Sequence, residues 1–226
     1  MRKWEDLPPD MQVPEVRTYY DILKRHTGSL ILKRIFDIIV AGLLLILLSP
    51  VLLVLSILIK TDSKGPVFFR QVRVTRYGKT FRIFKFRTMV NNADKIGTQV
   101  TTKGDARVTK VGKKLRGCRL DELPQLLNIL TGDMTFVGTR PEVEKYVSHY
   151  TNEMKATLLL PAGVTSLASI EYKDEEKLLE SADDADRVYM ETILPEKMKY
   201  NLESIKKFSF LQDIKTMAAT VIAVIK

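Results

Sequence analysis

Asp121 and Glu122 are adjacent carboxylates that follow closely on the cations Arg116 and Arg119. A carboxylate kept ionised by neighbouring cations can serve as a nucleophile or as a metal ligand. The same pair has a purely structural use, with Asp121 as a helix N-cap and Glu122 as a first-turn acid, because a helix N-terminus favours negative charge. Adjacent helical positions diverge by about 100°, so in either case the two acids have different jobs. Lys85 and Arg87 are two apart in a β-type run and project from one face, while Phe84 and Phe86 take the other. Such cations either form a solvated edge that discourages aggregation or aim at a phosphate. Pro141 drives Arg140 into an extended conformation, which presents a guanidinium fork suited to phosphate or carboxylate. Metal-site spacing is absent, since His26 and His149 are far apart and Cys118 is solitary, and there is no Walker loop or Gly-rich dinucleotide fingerprint.

The elements that must position these groups follow from periodicity. Residues 67–74 and 80–89 read as two strands of a hairpin around the polar connection 75–79. Residues 91–102 are polar and irregular, a candidate mobile loop over the site. Asp105 can cap a helix through Val108, Val111 and Leu115 to Arg116, stopped by Gly117. Leu120, Leu123, Leu127 and Leu130 line one side of a second helix over 120–130, with Pro124 in its first turn and Gly132 past its end. Residues 161–166 read as a loop and 181–186 as an acidic turn or helix start. A Pro-rich lead (Pro8, Pro9, Pro14), expected to be loosely ordered, precedes an amphipathic helix over 16–32. Phe210, Leu211, Ile214, Met217, Val221, Ile222 and Ile225 form a helical stripe for core packing or for docking at a membrane interface.

Composition adds a second character. The 226 residues carry 36 Lys+Arg against 27 Asp+Glu, a net charge of +9, with 45% hydrophobic residues and one Cys. These values exclude a disordered chain, a collagenous chain and a disulfide scaffold. The apolar residues are concentrated, because 18 of the 22 residues in 38–59 are hydrophobic and none is charged. A helix of that length runs about 33 Å, enough to cross a bilayer core of about 30 Å, and a signal peptide is disfavoured by position and length. Pro50 lies in the middle of the run, and basic residues stand on both flanks: Lys24, Arg25, Lys33 and Arg34 before it, Lys60, Lys64 and Arg70 after it. A kinked span tolerates the proline, but the positive-inside rule asks for both flanks on one side. A helix broken at Ser49-Pro50 that enters, turns and leaves on the same side satisfies that rule.

The ordered motifs are Lys33-Arg34-Ile35-Phe36-Asp37, Ser49-Pro50, the strand Lys85-Phe86-Arg87-Thr88-Met89, the run from Arg116 through Leu-Asp-Glu-Leu-Pro to Leu130, and Gly138-Thr139-Arg140-Pro141-Glu142. Together they resemble the bacterial sugar transferases, the monotopic polyprenyl-phosphate phosphoglycosyl transferases. The resemblance implies an α+β fold, mainly helical with a small β-hairpin, a re-entrant N-terminal helix broken at Ser49-Pro50, and amphipathic interfacial helices. It divides the chain into a lead with amphipathic helix (1–34), a re-entrant membrane element (35–59), a catalytic core (60–145) and a C-terminal substrate and interfacial region (146–226). Implied activity is transfer of a sugar 1-phosphate from a UDP-sugar to polyprenyl phosphate with release of UMP, at the cytoplasmic face of a bacterial inner membrane, as the first membrane step of capsule, exopolysaccharide or glycoconjugate synthesis. By that resemblance Asp121 is the nucleophile, Glu122 its partner around Mg²⁺, and Lys85, Arg87, Arg116, Arg140 and Pro141 form the substrate-binding set. Implied partners are anionic lipid and a second copy in a homodimer. The family's later segment, KPGITG followed by QVNGR, reads here Leu160-Pro161-Ala162-Gly163-Val164-Thr165 and then Ser169-Ile170-Glu171-Tyr172-Lys173, so its Arg has no counterpart, which leaves Glu171 and Lys173 as structural residues or sugar selectors. A catalytically inactive scaffold for polysaccharide assembly is the alternative; a nucleic-acid module is disfavoured, for lack of a helix-turn-helix or aromatic RNA platform.

Overall fold

The computed structural model describes residues 1–93, 105–173, 175 and 184–225. These residues are mostly helical and form two small sheets. Helix α1 (Pro14–Arg25) starts with Pro14 in its first turn and ends with Lys24 and Arg25, an order that complements the helix dipole. Its Val16, Tyr19, Tyr20 and Leu23 are buried. The lead before it is ordered, contrary to expectation from its prolines: Leu7 and Met11 are 3% and 1% exposed and join the same core. His26 ends α1, so the expected helix over 16–32 divides there and its second part enters α2 (Thr27–Asp62).

At 36 residues α2 is about 54 Å along its axis, and it is long and apolar enough to cross a membrane. One stripe packs on the body through Ala41, Leu55 and Ile59, while Ile46 and Leu47 are 75% and 73% exposed. Helix α2 continues through Ser49-Pro50, where the sequence suggests a break. Pro50 cannot donate to the carbonyl of Ile46, four residues back, and the Ser49 hydroxyl donates to that carbonyl at 2.8 Å. Intramembrane proline is tolerated where a serine hydroxyl re-satisfies the backbone in this way.

Strands β1 (Phe68–Val74) and β2 (Thr80–Phe86) form the expected antiparallel hairpin, with Phe69 opposite Lys85 and Arg73 opposite Phe81. Helix α3 (Lys110–Gly117) is capped by Thr109, whose hydroxyl accepts from the Gly112 amide at 3.0 Å, and Asp105 instead pairs with Arg107. The expected helix over 120–130 is two pieces: a 3₁₀ turn at Leu120–Glu122 and α4 (Gln125–Thr131), which Gly132 terminates at φ +88°. Pro124 precedes α4 and leaves the acids on the turn.

Strand β3 (Met134–Val137) leads through α5 (Glu144–Val147) to β4 (Ala162–Thr165), which pairs with β3 in parallel. Residues 161–166 are therefore largely a strand. A Cβ on Gly163 would lie 2.2 Å from backbone atoms of Gly138, so glycine permits the close approach of the two segments. The C-terminal region comprises α6 (Leu167–Glu171), α7 (Ala185–Val188), a π turn at Tyr189–Ile193, α8 (Leu194–Lys206) and α9 (Phe210–Ile225). Asp184 caps α7 through the Arg187 amide, while residues 181–183 of the expected acidic turn, and most of the expected loop over 91–102, lie outside the described residues.

Three apolar cores result. The largest joins the lead and α1 to residues 146–208, so the two ends of the chain fold on each other. A second sets Ala41 of α2 against Phe81, Ile83, Leu126, Ile129 and Met134. A third sets Leu55 and Ile59 against Phe86 and Leu115. Both halves of α2 thus pack on the elements that carry the acidic turn. On α9, Leu211, Val221 and Ile222 are 64%, 58% and 55% exposed, an outward apolar face like that of α2.

Candidate active site

The acidic turn is presented by a chain reversal. Helix α3 ends at Gly117, and Arg119 takes the left-handed conformation at φ 54° before the 3₁₀ turn begins. For a residue with a Cβ that conformation costs about 1 kcal/mol and occurs preferentially at functional sites. Arg119, not Asp121, occupies the cap position, and the turn has no side-chain cap bond, so Asp121 is not an N-cap.

The two carboxylates separate as their adjacency requires. Asp121 lines a cleft of about 600 Å³. Glu122, its side chain 12% exposed, accepts from Lys85 Nζ at 2.8 Å and from Arg140 Nη2 at 2.7 Å, both on Oε1. Burial alone would raise the pKa of Glu122, but Arg140 and Lys85 hold it well below the usual carboxylate value. Asp121 moves the other way: burial raises its pKa, the charge of Glu122 adds to the rise, and Lys85 and Arg116 oppose it. Burial also lowers the pKa of Lys85 against the pull of Glu122.

Each cation is fixed by its own element. Lys85 comes from β2, on the face it shares with its neighbour Phe69 in β1. Arg116, in the last turn of α3, donates to the Thr88 hydroxyl at 3.2 Å. Arg140 lies between two anchored residues, because the Thr139 carbonyl accepts from the Gly163 amide at 2.8 Å and the Pro141 carbonyl accepts from Arg73 at 3.1 Å. Lys85, Arg116, Arg140 and Asp121 therefore share one cleft, as their residue types suggest. Seven cations and three carboxylates are among its lining residues, the cations being Arg70, Arg73, Lys85, Arg87, Arg107, Arg116 and Arg140.

Arg87 lines the cleft and is also committed to a helix end. It is 5% exposed, and its terminal nitrogens donate to the carbonyls of Ser63 (2.7 Å), Lys64 and Ile59, the last turn and exit of α2. A guanidinium so placed caps a helix C-terminus and complements its dipole, in the wall of the cleft that it shares with Lys85. Gly65 permits this packing: at φ +136°, a Cβ there would lie 2.0 Å from the Arg87 guanidinium.

The role of the Lys33–Asp37 motif was hidden in the sequence. Arg34 donates to the carbonyls of Ile129 (2.6 Å) and Leu130 (2.9 Å), at the C-terminal end of α4. Asp37 accepts from the Thr135 hydroxyl at 2.6 Å, and Lys33 pairs with Asp213 of α9 at 2.6 Å while donating to the Val137 carbonyl. At the other end of α2, Asp62 accepts from the Val111 amide at 3.0 Å, in the first turn of α3. The apolar helix is thus tied at one end to α4 and β3 and at the other to α3, the elements on either side of the acidic turn.

Glu171 and Lys173 do not line the cleft; Lys173 meets Arg119 through its carbonyl at 3.3 Å. Among the described residues no group of three or more His, Cys, Asp or Glu side chains could cage a metal. The donor set present, one carboxylate facing the cleft beside a second, suits Mg²⁺, which is commonly held by one or two carboxylates together with substrate phosphates.

Residues 28–226 match the family model described as bacterial sugar transferase. The UDP-glucose:undecaprenyl-phosphate glucose-1-phosphate transferase of Klebsiella pneumoniae is 40% identical over 199 residues, which cover 85% of this chain and 40% of that protein. The UDP-N-acetylgalactosamine-undecaprenyl-phosphate N-acetylgalactosaminephosphotransferase of Aeromonas hydrophila is 46% identical over 123 residues, 54% of this chain and 29% of that protein. The exopolysaccharide production protein ExoY of Sinorhizobium fredii is 36% identical over 173 residues, 68% of this chain and 76% of that protein. The chain spans about two fifths of the length of its glucose-1-phosphate transferase relatives from Klebsiella pneumoniae and Escherichia coli.

Proposed function

Because this chain belongs to the bacterial sugar transferase family, we propose that it moves a sugar 1-phosphate from a UDP-sugar to polyprenyl phosphate at a membrane surface. The observation that carries the reading is Asp121 facing a cation-lined cleft while Glu122 holds Lys85 and Arg140 in place. A diphosphate needs such cations, and the charge that develops on a transferring phosphoryl group is stabilised by the same groups.

In the first step an ionised Asp121 oxygen attacks the phosphorus that bears the sugar. The bond from that phosphorus to the bridging oxygen breaks, and UMP leaves with the electron pair. In the second step an oxygen of polyprenyl phosphate attacks the aspartyl phosphosugar, the bond to Asp121 breaks, and polyprenyl diphosphate sugar is released with the carboxylate restored. Lys85, Arg116 and Arg140 hold the phosphates in line. Mg²⁺, held by Asp121 and Glu122 with the substrate phosphates, would supply further charge neutralisation. Arg87 and Pro141 act on the scaffold, the one closing α2 and the other shaping the Arg140 turn.

The apolar face of α2 supports a reaction at the bilayer, where a lipid carrier offers its phosphate. The re-entrant reading is supported by the polar ties at both ends of α2 to one catalytic body, which favour both ends on one side of the membrane. That side is the cytoplasmic one by the charge of the flanks. The apolar face of α9 lies at the interface, and the flanking cations meet anionic lipid.

The deciding experiment measures UMP release from UDP-sugars by protein in lipid nanodiscs, with and without polyprenyl phosphate and Mg²⁺. The wild type is expected to release UMP in a carrier- and Mg²⁺-dependent way, and Asp121→Asn to lose about a thousandfold or more. Near-normal turnover by that variant would remove the nucleophile assignment.

A further inference from the structure

The cleft is not uniformly cationic. Beside the cations its lining includes Glu142, Tyr146, Glu175 and Tyr189. Glu142 is 6% exposed; its Oε1 accepts from the Tyr189 hydroxyl at 2.6 Å and its Oε2 lies 3.8 Å from Arg73. Glu175, its side chain 30% exposed, accepts from Lys197 Nζ at 2.8 Å, and Lys197 also reaches the Tyr189 hydroxyl at 3.3 Å. Tyr189 opens the π turn, a rare helical form that often marks functional positions. Burial and the nearby carboxylates raise the Tyr189 pKa far above its ordinary value, so it stays a neutral donor. Both glutamates act on Arg140, which places them in the electrostatic neighbourhood of the phosphate-binding end.

Two carboxylates held by a buried phenol and a buried ammonium are poor neighbours for a diphosphate, which they repel. They are good acceptors for hydroxyl groups, because a charge-assisted bond to a fixed carboxylate is stronger than a neutral one. A nucleotide sugar has that division of character, with a charged diphosphate between neutral, hydroxyl-rich rings. We infer that Glu142 and Glu175 form a hydroxyl-recognition subsite for a neutral polyol ring of the donor, with Tyr189 and Lys197 as positioning residues. The inference rests on the transferase reading and extends it to donor selection. It moves selection away from Glu171 and Lys173, which lie off the cleft.

The test uses the full chain in nanodiscs with polyprenyl phosphate and a panel of UDP-glucose, UDP-galactose and their N-acetylated counterparts. Glu175→Gln and Tyr189→Phe are compared with wild type for kcat/KM on each donor and for product inhibition by UMP, which has the ribose but not the transferred sugar. If the ring is the transferred sugar, kcat/KM for the preferred donor falls about tenfold or more and the ratios among donors flatten, with UMP inhibition unchanged. If it is the ribose, UMP inhibition weakens by a similar factor while the donor ratios persist. Either result supports the subsite. Donor ratios and UMP inhibition both within twofold of wild type, in both variants, overturn it and leave the transferase reading standing. A wild-type chain that releases no UMP from any donor overturns the transferase reading and the subsite with it.

Discussion

Glu122 carries two cations on a single carboxylate oxygen, so the residue beside Asp121 fixes where Lys85 and Arg140 point. Removing it strands two positive charges at the floor of the cleft. Glu122→Ala should therefore lower stability by about 2–4 kcal/mol, measured by denaturation in micelles, and Glu122→Gln by less because the amide oxygen still accepts. Arg87 gives the opposite kind of test. As a cap on α2, Arg87→Met should destabilise by about 1–3 kcal/mol with the KM for the nucleotide sugar unchanged, whereas loss of a phosphate ligand would raise that KM. The sequence made Asp121, Glu122 and Arg140 readable because their significance is local: adjacent acids among cations, and an arginine fixed by the following proline. It could not separate Lys85 from Arg87. Alternation puts both on one face, but the carbonyls that take up Arg87 belong to a helix end 23 to 28 positions earlier.

Among the elements, the hairpin was legible because period-two alternation and a Tyr77-Gly78 turn are strong local signals. The run over 120–130 was not: its leucine spacing fits one helix, yet the left-handed Arg119 and the proline at 124 favour a short turn before α4. Pairing of β3 with β4 was invisible, since each strand has four residues and the partners lie 28 apart. The lead was misread from its prolines because Leu7 and Met11 find a core supplied by distant residues. One tether at the cleft edge has a pH signature. Asp186 accepts from Lys145 and from the Tyr146 hydroxyl; burial raises its pKa, but those two bonds outweigh burial and leave it below 3.8. A carboxylate depressed in the folded state stabilises above its unfolded pKa, and the contribution is lost as pH falls through the folded value. Wild type should therefore lose about 1 kcal/mol relative to Asp186→Asn as the pH is lowered through the acid range in chemical denaturation, and a constant difference would remove the tether's role.

For the whole molecule, the polar ties at both ends of α2 make a topological prediction. Cysteines introduced before residue 30 and after residue 65, in a Cys118→Ser background, should react with a membrane-impermeant reagent from the same side of sealed vesicles, whereas opposite sides would end the re-entrant reading. The same ties have a consequence for handling the protein. Arg34 and Asp62 join the two ends of α2 to the helices around Asp121, so the exposed row that includes Ile46 and Leu47 cannot be withdrawn without moving the site. A particle stripped of lipid keeps its catalytic body intact while carrying an uncovered greasy strip. Its shelf life is then a rate of self-association, set by protein concentration and by how well a detergent covers the apolar strip, and not by an equilibrium melting point.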